Sequence, residues 1–180
     1  IGLSVGGSTK GTDNVTYLRG EANFDASNGS IDIYGQKSGI VADNSQVSIR
    51  KNLDGKPTTV NGAYFADVNI TAKDAVNIVG TDDYGIQAKN TLSNVKLNSS
   101  GLLKDVNLKL NVTSQGTINV FGGNAGIMAT ALKDEFNNDV LNDLSNIDFG
   151  SKVNLTANGD IAVQGGGYGV IAFENSNVYI

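Results

Sequence analysis

The 180-residue sequence has no cysteine, no histidine and no tryptophan, and only one proline and one methionine. Without Cys there are no disulfides and no thiolate metal sites. Without His, most zinc sites and every imidazole-based catalytic relay are excluded. The single proline, Pro57, leaves almost every backbone N–H free to donate, as internal strands require. No apolar run approaches the ~20 residues of a membrane helix, so no membrane insertion is expected of this segment. Thirteen basic residues against eighteen acidic ones give a net charge of −5, which argues against a nucleic-acid partner. There is no initiator Met or signal peptide, and Val178-Tyr179-Ile180 break off inside an expected strand. Residues 1–180 are therefore expected to be a single segment of a longer chain.

Glycine is abundant, with 23 copies, and much of it is periodic. Gly39-Ile40-Val41-Ala42 recurs as Gly85-Ile86-Gln87-Ala88, Gly126-Ile127-Met128-Ala129 and Gly169-Val170-Ile171-Ala172, with Gly39, Gly85, Gly126 and Gly169 spaced by 46, 41 and 43 residues. Gly2-Leu3-Ser4-Val5 is a looser copy. Repetition at a near-constant period identifies one unit stacked upon itself. Upstream of each glycine lies an apolar-Asn-apolar strand: Ala22-Asn23-Phe24, Val68-Asn69-Ile70, Leu110-Asn111-Val112 and Val153-Asn154-Leu155. A second strand follows and ends in glycine, at Ile31–Gly35, Val76–Gly80, Ile118–Gly122 and Ile161–Gly165. A fourth strand is expected at Ser45–Ile49, Ser93–Leu97, Ser145–Phe149 and Ser176–Ile180.

Most of these stretches alternate apolar and polar residues, the period of a strand with one buried face. Short strands, turns of Gly, Asn, Asp and Ser, and a fixed repeat together predict an all-β solenoid. Inward aliphatic residues stack in columns, and successive turns lie about 4.8 Å apart. A period near 43 residues fits two turns of 20–23 residues or one turn of about 30 with insertions. Thr58-Thr59-Val60, Tyr64-Phe65-Ala66 and Leu102-Leu103 read as further strands and favour two.

Two stretches interrupt the pattern. Arg50–Pro57 is polar and rich in turn residues, and reads as a loop leaving the solenoid. In Ala131–Leu144, Leu132, Phe136, Val140, Leu141 and Leu144 fall at helical spacing among Asp134, Glu135, Asp139 and Asp143. An amphipathic helix of about three turns is expected there.

No pattern for catalysis, a cofactor or a metal emerges. Gly165-Gly166-Gly167-Tyr168-Gly169 lacks the Lys-Ser/Thr of a phosphate loop and reads as a tight corner. Asp82-Asp83 with Asp74 offers oxygens to Ca²⁺ but has no calcium-loop spacing, and reads as a solvated turn. Asp32, Asp43 and Asp83 are the only carboxylates near comparable repeat positions that could serve glycoside cleavage. Asn-x-Ser/Thr at Asn14, Asn28, Asn69, Asn98, Asn111 and Asn154 mostly follows from strand alternation, with Asn and Thr both outward. Tyr84 and Tyr168 share a repeat position, but Ser38 and Ala125 hold it in the other copies, so an aromatic strip there is broken.

The strands Val153–Ala157, Gly159–Gly165 and Tyr168–Ala172, with the lack of Cys, resemble the passenger regions of Gram-negative autotransporters and related type V-secreted adhesins. The resemblance implies a right-handed parallel β-helix on the cell surface, held by a translocator outside this segment. It also implies a non-catalytic role in attachment to a host-cell or bacterial surface protein or glycan. Arg50–Asn61 and Ala131–Leu144 are the expected contact elements, through Lys51, Asp54, Lys56, Asp134, Glu135, Asp139 and Asp143. A polysaccharide-acting β-helical enzyme or tailspike segment, and a purely structural spacer, are the alternatives. Unpaired strand edges at both ends predict end-to-end self-association.

Overall fold

A computed structural model describes residues 2–9, 18–47, 62–92, 103–133 and 148–180. Among these residues the chain is all-β, with no helix, and every strand pairing is parallel. The fourteen strands among the described residues fall into three sheets. Sheet A contains β1 (Leu3–Thr9), β4 (Ile40–Val47), β7 (Tyr84–Leu92), β10 (Ala125–Lys133) and β13 (Tyr168–Glu174). Sheet B contains β2 (Leu18–Ala26), β5 (Gly62–Ala72), β8 (Leu103–Ser114), β11 (Asp148–Ala157) and β14 (Ser176–Tyr179). Sheet C contains β3 (Ile31–Gly35), β6 (Ala75–Gly80), β9 (Thr117–Gly122) and β12 (Ile161–Gly165).

Chain order visits B, C and A in turn, and each strand pairs with its counterpart one repeat away. Val68 is level with Leu110, Val76 with Ile118, and Ile86 with Ile127. One repeat is thus one passage through three sheets, an arrangement consistent with a parallel β-solenoid. Among the described residues the expected two turns per repeat are not found; Thr58-Thr59-Val60 and Leu102 lie outside them. Tyr64-Phe65-Ala66 is the upstream part of β5, and Leu103 opens β8, so these residues lengthen existing strands instead of forming new ones. The described parts of the expected fourth strand are likewise absorbed: Ser45-Gln46-Val47 continues β4, and Asp148-Phe149 begins β11, while Ser93–Leu97 and the rest of the first and third copies lie outside the described residues. Ser176–Tyr179 pairs with Ser151–Asn154, which makes it a sheet B strand.

The alternation seen in the sequence sets what faces inward. Ile40, Ile86 and Ile127 form one fully buried column, and Ala42, Ala88 and Ala129 form a second. Val68, Leu110 and Val153 line sheet B, while Ile78 and Val120 line sheet C. Burying each large aliphatic side chain is worth roughly 1.5–3 kcal/mol. Because the columns run between repeats, the gain comes from stacking rather than from any one repeat.

Two of the three corners are tight. The B-to-C corner takes two to four residues and the C-to-A corner two to four. At the C-to-A corner the chain turns so closely that a Cβ on Gly80 would lie 1.9 Å from the carbonyl oxygen of Tyr84, and one on Gly122 1.8 Å from that of Ala125. This explains the glycine that ends each second strand. The Gly166-Gly167 stretch is such a corner: Gly166 N–H donates to Gly122 O and Gly167 N–H to Asn124 O. The large variation in length falls at the A-to-B corner, where residues 10–17, 48–61, 93–102 and 134–147 make the connections. After β13 the same corner needs only Asn175, with Glu174 at φ 53° and the Ser176 hydroxyl within bonding distance of the Phe173 and Ala129 carbonyls.

β10 extends through Lys133, so Ala131, Leu132 and Lys133 are strand and not the start of a helix. They keep level with Asn90, Thr91 and Leu92 of β7, and that pairing outweighs the helical spacing of their side chains. The rest of the expected helix lies outside the described residues.

Candidate functional site

Among the described residues, outward polar groups gather on the outer faces of sheets C and B. All seven expected contact residues belong to A-to-B connections. Lys51, Asp54 and Lys56 lie in 48–61, and Asp134, Glu135, Asp139 and Asp143 in 134–147, all outside the described residues. The strands that precede the two segments, β4 and β10, flank β7 in sheet A.

The outer face of sheet C is described throughout. Along each strand, inward Ile, Val and Gly alternate with outward residues in two rows. The first row is Asp32, Asn77, Asn119 and Ala162. Asn77 Nδ2 donates to Asp32 Oδ1 at 2.6 Å, and Asn119 Nδ2 to Asn77 Oδ1 at 2.8 Å. Identical repeats put identical amides one spacing apart, so each carboxamide bonds its neighbour and the row becomes a ladder. The second row is Tyr34, Val79, Phe121 and Gln164. Tyr34 is 66% exposed and Phe121 43% exposed. Between them the smaller Val79 leaves a shallow groove of about 230 Å³, bordered on one side by the amide row.

Sheet B carries a parallel ladder on its outer face. Asn69 donates to Asn23, Asn111 to Asn69 and Asn154 to Asn111, at 2.7–2.9 Å, and Asn23 donates to Glu21. Thr71, Thr113 and Thr156 stand level and exposed beside it. The Asn-x-Thr triplets at 69, 111 and 154 therefore face outward, as the alternation required, and their amides are engaged with one another.

No family model, curated protein or solved structure matches the chain. What the molecule can do has to be judged from these surfaces.

The acidic candidates are not brought together. Asp32 lies on sheet C, Asp43 on sheet A level with Lys89, and Asp83 in the connection from β6 to β7. Asp74 and Asp82 sit at opposite ends of the six-residue β6, a strand spanning roughly 20 Å at about 3.3 Å per residue. Among the described residues no group of three His, Cys, Asp or Glu could hold a metal ion. Tyr84 and Tyr168 are both level with Ala125, so that strip is interrupted as expected. The sequence reading did not pick out Tyr34 and Phe121. The signal was present in the second strand of each repeat, whose fourth residue is outward and reads Tyr, Val, Phe, Gln.

Proposed function

We propose that this chain is a segment of a right-handed parallel β-helix of the autotransporter-passenger type, displayed on a Gram-negative cell surface, which mediates attachment and carries out no catalysis. The observation that supports this best is that the large variation in connection length falls at one corner. Two corners are held to four residues or fewer, while the third takes connections of 1 to 14 residues. A stack whose connections at one corner vary widely in length can present recognition elements without disturbing its core, and recognition commonly resides in such connections. Right-handedness follows from the strong preference of parallel crossover connections for that hand. The partner is a surface protein or glycan of a host or neighbouring bacterium.

The last repeat supplies a natural template for the test, because it turns the same corner through Glu174 and Asn175 alone. The chain is compared with a variant whose 48–61 and 134–147 connections are cut to that short corner, with circular dichroism confirming that both remain β-rich. Binding of the intact chain to host or partner cells, lost in the variant, is the expected result. Equal binding by both removes the connections from the account. Binding by neither refutes the attachment role and leaves a spacer.

A further inference from the structure

We infer that the outer face of sheet C binds a neutral, β-linked glycan lying along the stacking direction, with sugar rings seated on Tyr34 and Phe121. This goes beyond the attachment reading, since it places recognition on the sheet and not on the connections.

The rings stand in one row with Val79 between them, about 9.6 Å apart at two strand spacings. A groove of about 230 Å³ opens there. That separation suits alternate sugars of an extended polymer. The groove also offers two kinds of surface side by side. The exposed faces of Tyr34 and Phe121 match the C–H face of a pyranose. The neighbouring amide row matches its equatorial hydroxyls. Asn119 Oδ1 is an open acceptor, because the ladder ends where Ala162 replaces the next amide. The Gln164 carboxamide, exposed one spacing beyond Phe121, adds a donor and an acceptor.

Other occupants fit less well. An added peptide strand needs an unpaired backbone edge, but β6 and β9 are paired on both sides. An apolar helix would cover Asn119 Oδ1 and the amide N–H groups that the ladder does not use, and offer them no hydrogen bond. An anionic glycan would meet Asp32, and neither outward row contains a cation. A neutral polymer with a repeat along its axis remains, matched to a surface with a repeat along its own.

The test titrates the 180-residue chain with cellohexaose, xylohexaose, mannohexaose and chitohexaose, with hexagalacturonate as the charged comparison. Isothermal calorimetry gives the affinity, and the change in tyrosine emission that is lost in Tyr34→Ala, out of six tyrosines, reports on Tyr34. Saturable binding of at least one neutral hexamer is expected. Tyr34→Ala and Phe121→Ala should each weaken it about tenfold, a factor typical of losing one aromatic anchor. Tyr34→Phe should retain most of it. Tyr168→Ala, on sheet A and 61% exposed, should leave it unchanged. All four substitutions are at exposed rings, and an unaltered urea midpoint confirms folding. The inference is overturned if no neutral hexamer saturates at millimolar concentration, if both alanine variants bind like the parent, or if only hexagalacturonate binds. The chain with shortened A-to-B connections should still bind the hexamer, so loss of cell attachment and loss of this site are read separately.

Discussion

Removing part of one aliphatic column tests whether stability resides between repeats. Ile118 is fully buried and level with Val76 on one side and Ile161 on the other. Ile118→Ala deletes three carbons, about 2.4 kcal/mol of transfer free energy at about 0.8 kcal/mol each. The strands on both sides are fixed by hydrogen bonds, so the gap cannot close. With the cavity term the total should reach about 3–4 kcal/mol, inside the range of about 2–5 for such truncations. Ile161 occupies the same column in the last strand of its sheet and is only partly buried, so Ile161→Ala should cost about 1 kcal/mol. The weaker strand propensity of Ala applies to both and cancels in the comparison. Urea unfolding followed by circular dichroism gives both values. Equal costs, or less than about 1 kcal/mol at Ile118, would refute the stacking account.

Other consequences are more local. Asn111→Ala removes two ladder bonds, to Asn69 and from Asn154, and should destabilise by about 1–2 kcal/mol, roughly twice the effect of Asn154→Ala, in the same urea assay. Gly122→Ala would bring a Cβ within 1.8 Å of the Ala125 carbonyl oxygen and should cost about 2 kcal/mol or more. Gly29→Ala, where nothing lies within 4 Å, should be neutral or stabilise by up to about 1 kcal/mol, and thermal melts separate the two cases. Among the described residues, sheets A, B and C each end in strands with one unpaired edge. The chain should therefore associate as its concentration rises, and a sedimentation coefficient independent of concentration would contradict this.

The repeat was legible because it is written in backbone requirements. A glycine that no other residue can replace at the C-to-A corner, and an Ile-x-Ala pair whose first and third positions face inward, recur whatever the outward residues are. Alternation alone gives the facing of a residue but not its neighbour, since a period of two fits many pairings. Ser176-Asn177-Val178-Tyr179 therefore resembled Ser45–Ile49 in sequence, yet it pairs as a sheet B strand because a single residue, Asn175, carries the chain across. The choice between one and two turns per repeat depended on whether Tyr64-Phe65-Ala66 was a new strand or the start of an old one, and composition does not distinguish them. Leu132 suited a helical stripe, but Ala131–Lys133 lie beside a complete strand edge on β7. The sheet C face escaped notice for a different reason. Tyr34 and Phe121 are 87 residues apart in sequence, and only the two-repeat spacing places them in one row.

One passage through three parallel sheets per repeat is the central claim, and cysteine pairs test it most directly because the native chain has none. Thr71 and Thr113 are exposed and level on adjacent strands, so their Cα atoms should lie about 4.8 Å apart, within the range a disulfide spans. Thr71 and Thr156 are two strands apart, about 9.6 Å, beyond that range. Under mild oxidation the Thr71→Cys/Thr113→Cys chain should close an internal disulfide, while Thr71→Cys/Thr156→Cys should not, as measured by mass spectrometry. Failure of the first pair to close in folded protein would mean that another strand lies between them, and one turn per repeat would be wrong.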